Sequence, residues 1–372
     1  MLSESSSGPA PVVVYGASGY TGRLLCAALA ARGLPTVLAG RDAARLQHAA
    51  DALADAAAGV RVARLDDPAS LRGAFDGARV VANCAGPFAV TGEPVLRAAI
   101  EAGCHYLDTT GEQPWIARVF EDFDEQLRRA GVAAVAGMGF DYVPGDLLCH
   151  LVGERHQPLE ELLVAYHLVG FDMTRGTMRS SLEMLKGGDV TYRDGRWVPA
   201  GYGPRRAFMD FPAPIGRRQI GKYPSGEIVT VPRHLEVRAV RAGITVDSLL
   251  PRAVSWALPP TLPAVALAMR SPLAGVLDRA IGLLPEGPPE DRRRAVSWTI
   301  LAEARGRDGS CAQGIARGSD VYGLTAETMA AGVERMVAES FAATGAHAPA
   351  SAFDAAELLD SLAGAGVSWE IS

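Results

Sequence analysis

The stretch VVVYGASGYTGRLL, which runs from Val12 to Leu25, decides the fold. Val12–Tyr15 is a continuous apolar run, typical of a strand that has helices on both faces of its sheet. A glycine-rich turn at 16–22 follows and leads into a helical pattern that reaches Arg32. Backbone amides in such a turn and the positive end of the helix hold phosphate groups. We therefore predict that the phosphates of a nucleotide bind at Gly16, Ala17, Ser18, Gly19, Tyr20, Thr21 and Gly22.

Short β-branched runs alternate with alanine-rich helical patterns as far as Ala136. This alternation is typical of a doubly wound parallel sheet. The predicted strands are 12–15, 36–39, 60–65, 79–84, 105–107 and 132–136, and right-handed crossovers give them the order 3-2-1-4-5-6. The predicted helices are 20–32, 43–57, one after Asp67-Pro68, 93–102 and 114–130.

The alternation of strand and helix patterns stops beyond residue 146. Gly- and Pro-rich segments at 187–226 and β-rich pieces at 227–231 and 295–304 indicate a mixed α+β domain, and a strong helix at 326–343 ends at Gly345. The predicted fold class is α/β, a Rossmann doubly wound parallel sheet with an inserted α+β second domain. The predicted division is a dinucleotide-binding domain at 10–146, an inserted substrate or dimerisation domain at 147–320, and a C-terminal helical segment at 321–372 that returns to the first domain.

The end of the second predicted strand indicates which dinucleotide binds. An NAD site places an acidic residue here to bind the ribose hydroxyls, whereas this strand ends Ala39-Gly40-Arg41. The guanidinium of Arg41 suits a 2′-phosphate, so NADP(H) is the predicted cofactor. Asp42 is the competing acidic residue, and we interpret it as the N-cap of the next helix.

Three further strand ends lie at the same edge of the predicted sheet, where ligands bind in this fold. The loop after the fourth strand is expected to border the ribose and nicotinamide through Asn83, Ala85, Gly86 and Pro87. The candidates for a proton donor are Tyr106, Asp108, Asp141 and Tyr142, with His105 beside them. Each has a structural alternative: Asp108 as a turn cap, Asp141 as a helix N-cap, and the tyrosines as packing residues.

Composition narrows the class of protein further. A net charge of −6 over 372 residues argues against nucleic acid as a partner. Five cysteines, odd in number and never spaced CxxC, indicate a reducing compartment, and the N-terminus lacks a signal-peptide pattern, so a cytoplasmic location is predicted. The apolar run at 253–269 contains three prolines and is predicted to form a buried or lid-like segment and not a transmembrane helix. No histidine spacing suggests a metal site.

The motifs GASGYTG, LAGR, NCAGPF, HYLDTTGE and GFDYVPGDL occur in this order over residues 11–150. With the weaker YPSGEIVTVPRH and DVYGLTAE, they resemble the saccharopine dehydrogenase-like oxidoreductase family, including its trans-acting enoyl reductase branch. The resemblance implies a Rossmann domain that binds NADP(H), an inserted domain that carries the substrate site and frequently the dimer contact, and a returning C-terminal helix. A homodimer is therefore expected. Residues 16, 18–22, 41 and 85–87 match the family's cofactor positions.

Three functions follow as hypotheses. The first is an NADPH-dependent reductase of a C=C bond in an acyl or polyketide-type small molecule, and the second acts on an amino-acid imine. The third is a non-catalytic NADP-binding scaffold or redox sensor. A basic segment at 205–241 suggests an anionic substrate handle or an acidic carrier protein, with a solvated face as its alternative. An imine enzyme is expected to place Arg175 and Arg179 around a small polar pocket.

Overall fold

The computed structural model describes residues 11–53, 56–185, 188–200, 207–249 and 273–372. The strands of its first sheet are β1 (Val12–Tyr15), β2 (Thr36–Gly40), β3 (Ala57–Val62), β4 (Val80–Asn83), β5 (His105–Asp108), β6 (Ala133–Val135) and β15 (Gly345–His347). They are parallel and lie in the order β15-β6-β5-β4-β1-β2-β3. The predicted order 3-2-1-4-5-6 is confirmed, and the C-terminal part of the chain adds a seventh strand beside β6.

The helices between these strands are α1 (Tyr20–Ala31), α2 (Ala43–Asp51), α3 (Pro68–Phe75), α4 (Phe88–Glu101), α5 (Gln113–Arg118) and α6 (Asp124–Ala130). The prediction that α2 reaches residue 57 is wrong, because that residue already begins β3. A π-helical turn at Val119–Phe123 separates α5 from α6, where one helix was predicted. α4 begins five residues before the predicted position, since the distant Glu112 carboxylate accepts the amides of Phe88 and Ala89 at its first turn.

The second sheet is mixed and runs β10-β11-β12-β7-β13-β14-β16, with the hairpin β8–β9 attached to β12. Its strands are β7 (Leu159–Val169), β8 (Val190–Arg193), β9 (Arg196–Pro199), β10 (Ala207–Phe211), β11 (Gly216–Lys222), β12 (Val240–Thr245), β13 (Ser297–Gly306), β14 (Cys311–Ser319) and β16 (Ser368–Ile371). The predicted strand at 227–231 is wrong: Glu227–Thr230 is the short helix α9. Thr230 explains the change, because its hydroxyl donates to Asp146 at 2.6 Å and tertiary contacts override β-propensity.

The other helices are α7 (Val143–Gly153), α8 (Arg175–Leu185), α10 (Val246–Leu249), α11 (Leu273–Gly282), α12 (Glu290–Ala295), α13 (Val321–Val337), α14 (Pro349–Ala352) and α15 (Ala355–Ser361). α7 leaves the first sheet and packs on the second, where an added Cβ at Gly314 would meet Leu148 at 2.9 Å. Residues of both sheets, α7 and α13 share one buried core, among them Val135, Leu147, Ile300 and Met329. The two halves are therefore held together by apolar packing.

The C-terminal segment returns to the first sheet, although not as a single helix. α13 lies on α1, where Arg32 pairs with Glu327 at 2.7 Å, and Thr328 donates to the carbonyl of Met138 at 2.9 Å. It begins five residues before the predicted position because the Asp320 carboxylate caps it by accepting from Gly323. Gly345 was predicted to end this helix, but it begins β15. The segment 321–372 also supplies β16 to the second sheet, so it is not purely helical.

Two sequence features fall partly or wholly outside these residues. The apolar run at 253–269 lies outside the described residues, as do Arg205 and Arg206 of the basic segment. Within the described ranges, no helix has the length and apolar character needed to cross a bilayer.

Candidate functional site

The phosphate turn at 16–22 connects β1 to α1 at the carboxyl edge of the first sheet. Gly16 has φ +80°, and a Cβ there would lie 2.9 Å from Ala85, so glycine allows the turn to pack against the loop after β4. Gly19 is the N-cap of α1, no side chain of the described residues caps this helix, and its first turn holds no acidic residue. Its free amides and positive end therefore face the cleft, which suits a pyrophosphate.

Arg41, the residue predicted to bind the 2′-phosphate, directly follows β2. Arg41 is exposed, and Asp42 caps α2 by accepting from the amide of Arg45 at 3.1 Å, as we interpreted it. Arg45 was not among the predicted site residues. Its guanidinium donates to the carbonyl of Ser18 at 3.3 Å, so it spans the space between α2 and the phosphate turn. Its position one helical turn after Arg41 is the signal that could have added it to the candidates for phosphate binding.

The loop after β4 is held in place by buried side chains. Asn83 is fully buried, accepts from the amide of Ala85 at 3.0 Å, and donates to the Tyr106 hydroxyl at 3.2 Å. It supports the cofactor loop from below, whereas Gly86 is exposed at the cleft and Ala85 and Pro87 are half-buried.

Glu112 fixes the next part of this loop. Its carboxylate accepts from the amides of Phe88 and Ala89 at 2.8 and 2.6 Å, and from the Ser180 hydroxyl of α8 at 2.8 Å. Glu112 is 2% exposed. Burial raises its pKa, and the hydrogen bonds that it accepts oppose this rise. Glu112 therefore ties the loop after β4 to α8 in the second half of the chain, a role that the sequence did not indicate.

Tyr106 and Asp108 were two of the proton-donor candidates, and the structure places both in the core at 0% exposure. The Asp108 carboxylate accepts four hydrogen bonds, from Tyr106 at 2.8 Å, Trp115 at 2.7 Å, and the amides of Thr110 and Gly137 at 3.0 and 2.9 Å. Burial raises the pKa of Asp108, and these donors oppose the rise. This arrangement favours a structural role for Asp108. The predicted role was the cap of one turn, whereas the carboxylate joins three parts of the fold.

Two other candidates are also engaged elsewhere. His105 lies at the start of β5, at the opposite edge of the sheet from the cleft, and its Nδ1 accepts from the amide of Ala133 at 3.0 Å. Burial lowers its pKa to about 4. Tyr142 is 1% exposed and donates to the carbonyl of Gly111, which favours packing as its role.

Asp141 differs from the other candidates. It lies between β6 and α7 and is only partly buried, and the N-cap of α7 is Tyr142, so the helix-cap alternative does not apply. No donor from the described residues lies within hydrogen-bonding distance of its carboxylate. Burial raises its pKa to about 6. A carboxyl group without a partner and with a pKa near neutrality is suited to transferring a proton.

Two tyrosines of the second half lie near Asp141. Burial raises the pKa of Tyr223 and of Tyr322, and the nearby Asp141 charge raises both further. Tyr322 forms an edge-on contact with Tyr20 of the phosphate turn, with ring centroids 5.5 Å apart. Phe171 stacks on Tyr322 at 5.9 Å. Tyr20, Tyr322 and Phe171 therefore form a cluster of rings beside the phosphate turn, and Asp141 lies near Tyr322.

The basic segment at 205–241 does not form one open cationic patch. Arg233 lies between the rings of Phe120 and Trp197, 4.1 and 4.5 Å from their centroids. The carboxylates of Asp194, Glu160, Glu161 and Asp247 pair with Arg238, Arg241 and Arg218. The alternative of a solvated, locally neutralised face is favoured over an anion-binding site.

The fold and the turn define a dinucleotide-binding protein of the Rossmann type. Residues 12–135 match the family model of the saccharopine dehydrogenase NADP binding domain, and NADP(H) is therefore the cofactor of this part of the chain. The turn, Arg41 and Arg45 fit such a cofactor, whose phosphates need amides and cations.

Curated relatives match over the same part of the chain. Mouse saccharopine dehydrogenase-like oxidoreductase is 32% identical over 155 residues, which is 37% of this chain and 36% of the relative. The lipid droplet localized protein of Caenorhabditis elegans is 35% identical and the trans-acting enoyl reductase of Mycobacterium ulcerans 34%; each match covers 37% of this chain and 34% of the relative. The chain thus spans about a third of the length of the curated relatives it matches.

One solved structure matches nearly the whole chain. Apo saccharopine dehydrogenase (L-Glu forming) from Saccharomyces cerevisiae superposes with a TM-score of 0.62 over 98% of this chain and 100% of that one, at 13% identity. This likeness establishes a shared fold that includes the second sheet.

Proposed function

We propose that this protein is an NADPH-dependent oxidoreductase in which Asp141 supplies the proton that accompanies hydride transfer. The observation that carries the proposal is the Asp141 carboxyl group, without a partner among the described residues and with its pKa raised to about 6, beside the cofactor cleft. Among the predicted donors, Tyr106, Asp108 and Tyr142 have their polar atoms engaged by the protein.

The proposed role of each residue follows from its position. The amides at the start of α1 hold the pyrophosphate, and Arg41 and Arg45 hold the 2′-phosphate. Ala85, Gly86 and Pro87 border the nicotinamide, in a loop that Glu112 fixes. Bound NADPH supplies the hydride. Asp141 protonates the atom that gains electron density, and Tyr223 and Tyr322 form the wall that keeps water from the acceptor.

A C=C bond of an acyl or polyketide-type compound is the proposed acceptor. An imine enzyme was expected to place Arg175 and Arg179 around a small polar pocket, but the Arg175 side chain pairs with Glu286 at 3.1 Å and donates to the carbonyl of Gly282 at 2.9 Å. The cluster of Tyr20, Tyr322 and Phe171 suits an apolar acceptor better than an amino acid. We also infer that residues 147–320 carry the substrate pocket.

Oxidation of NADPH, measured across a panel of enoyl thioesters and a panel of amino-acid imines, tests this proposal. Turnover of enoyl compounds alone is the expected result, and turnover of imines alone would overturn the choice of acceptor. Tight NADPH binding with no turnover on either panel would indicate the scaffold. A comparison of free and carrier-bound thioesters in this assay tests whether a carrier protein presents the substrate. Analytical sedimentation tests whether the protein is a homodimer, and fractionation of cells tests whether it is cytoplasmic.

Replacement of Arg41 by alanine is expected to raise the dissociation constant of NADPH roughly tenfold to a hundredfold, because a charge-assisted contact to the 2′-phosphate is lost. NADH lacks this phosphate, so its dissociation constant is expected to change less than about twofold. Fluorescence titration with both cofactors measures the two values. Arg72→Ala, an exposed arginine of α3 paired with Glu101, is the control and should alter neither. Equal losses for the two cofactors would refute the 2′-phosphate assignment.

A further inference from the structure

A carboxylate from the second half of the chain binds the arginines of the phosphate site. Glu286 lies between α11 and α12 and pairs with Arg23 of α1 at 2.9 Å, with Arg175 of α8 at 3.1 Å, and with Arg45 of α2. Arg23 and Arg45 also both donate to the carbonyl of Ser18, at 2.7 and 3.3 Å. One acidic side chain therefore neutralises two cations that flank the phosphate turn.

The backbone on either side of Glu286 lies directly on this turn. The Tyr20 hydroxyl donates to the carbonyl of Pro288 at 2.7 Å. A Cβ at Gly287 would lie 2.8 Å from the Tyr20 ring and 2.9 Å from Thr174, so only glycine fits this approach. The amide of Arg175 donates to the carbonyl of Glu286 at 3.1 Å, which fixes the segment from its other side. The contact of residues 286–288 with the turn is thus built by several independent interactions.

The predicted 2′-phosphate residue Arg41 and the added Arg45 are in different electrostatic states. Arg41 is exposed and pairs with no carboxylate of the described residues, whereas Arg45 is paired with Glu286. Partial burial opposes ionisation of Glu286, but hydrogen bonding by Arg23 and the charges of Arg23, Arg45 and Arg175 outweigh it and lower its pKa. Glu286 is therefore an anion at neutral pH. It pairs with the guanidinium of Arg45, which the proposed function assigns to the 2′-phosphate.

We propose that Glu286 sets the preference between phosphorylated and unphosphorylated dinucleotides by competing with the 2′-phosphate for Arg45. The inference deepens the proposed function and depends on it, since it takes NADPH as the cofactor. Glu286 occupies Nη2 of Arg45 and cancels part of its charge, so the 2′-phosphate gains the whole guanidinium only when the carboxylate gives up this contact. Glu286 acts through Arg45 and is a positioning residue; its pair with Arg23 and the hydrogen bond from Tyr20 to Pro288 do not depend on Arg45.

Glu286→Gln tests the competition in the full-length protein. The variant keeps the size of the side chain and removes its charge, so Arg45 becomes available to the 2′-phosphate. We expect the ratio of the NADH to the NADPH dissociation constant to rise roughly three- to tenfold, the range of a partly exposed ion pair. Adenosine 2′,5′-bisphosphate and ADP, titrated by calorimetry, should show the same change in ratio without any contribution from the nicotinamide.

Glu290→Gln is the matched control, because it removes the same charge four residues further on, where Glu290 pairs with Arg294 of α12 at 2.6 Å. It should leave the ratio unchanged and so account for the altered net charge. In an Arg45→Ala background, Glu286→Gln should lose its effect. An unchanged or lower ratio in Glu286→Gln would overturn the inference. Failure of the wild-type protein to bind NADPH would instead overturn the proposed function.

Hydrogen exchange of the wild-type protein gives a second test that does not need a variant. Saturating NADPH should speed amide exchange in a peptide covering residues 283–290 at least about threefold, because Glu286 loses one of the arginines that hold this segment in place. Saturating NADH should change it less. Equal or slower exchange with NADPH would contradict displacement even if Glu286→Gln did not fold.

Discussion

Asp141→Asn is expected to lower the rate of NADPH-dependent reduction about 100- to 1000-fold, the usual contribution of a positioned proton donor. The amide cannot donate a proton to the acceptor, but it has nearly the same shape as the carboxyl group it replaces. Asp141 makes no hydrogen bond to the described residues, so the substitution breaks no contact with them. The dissociation constant of NADPH should therefore stay within about twofold of the wild-type value.

The pH dependence of turnover separates a proton donor from a residue that only shapes the pocket. Burial raises the pKa of Asp141 to about 6, so its acid form predominates below that pH and is lost above it. The turnover number for reduction should fall about tenfold for each pH unit above roughly 6 to 7, and this dependence should disappear in Asp141→Asn. Asp122→Asn, an exposed residue paired with Arg118, should keep the wild-type profile. Near-normal turnover in Asp141→Asn would transfer the role to Tyr223 or Tyr322.

The first sheet could be predicted from sequence because its strands are short apolar runs separated by helical periodicity. β1 to β6 all occur where this pattern places them, within a few residues. β15 was missed because it has only three residues, Gly345–His347, and becomes a strand only when paired with β6. The early start of α4 likewise depends on Glu112, which is 24 residues away in the chain. Local propensity does not contain such contacts.

The candidate site was less predictable than the fold. The strand ends indicated the right edge of the sheet, but burial then separated the candidates: Asp141 borders the cleft, whereas Tyr106 and Asp108 lie in the core. Nothing local distinguishes these carboxylates, since each follows a buried strand. Arg45 and Glu286 meet across 241 positions of sequence, and no motif joins them. Specific ion pairs of this kind follow from the packing of the two halves of the chain and not from composition.

Asp108→Ala is expected to reduce the free energy of unfolding by at least about 3 kcal/mol, because it leaves four buried donors without their acceptor. These donors belong to the end of β5, the start of the loop after β6, and α5, so one carboxylate joins the elements beneath the cofactor cleft. Unfolding in urea measures the loss. Asp66→Ala, which removes an exposed carboxylate paired with Arg64, should leave stability nearly unchanged.

The same variant decides between the two interpretations of Asp108. If its role is structural, Asp108→Ala should bind NADPH and turn over substrate at reduced temperature in proportion to the fraction that remains folded. If Asp108 donates the proton, the folded fraction of the variant should be inactive at every temperature. The complete burial of Asp108 favours the first outcome, since a carboxylate at 0% exposure cannot reach an acceptor in the cleft unless the core opens.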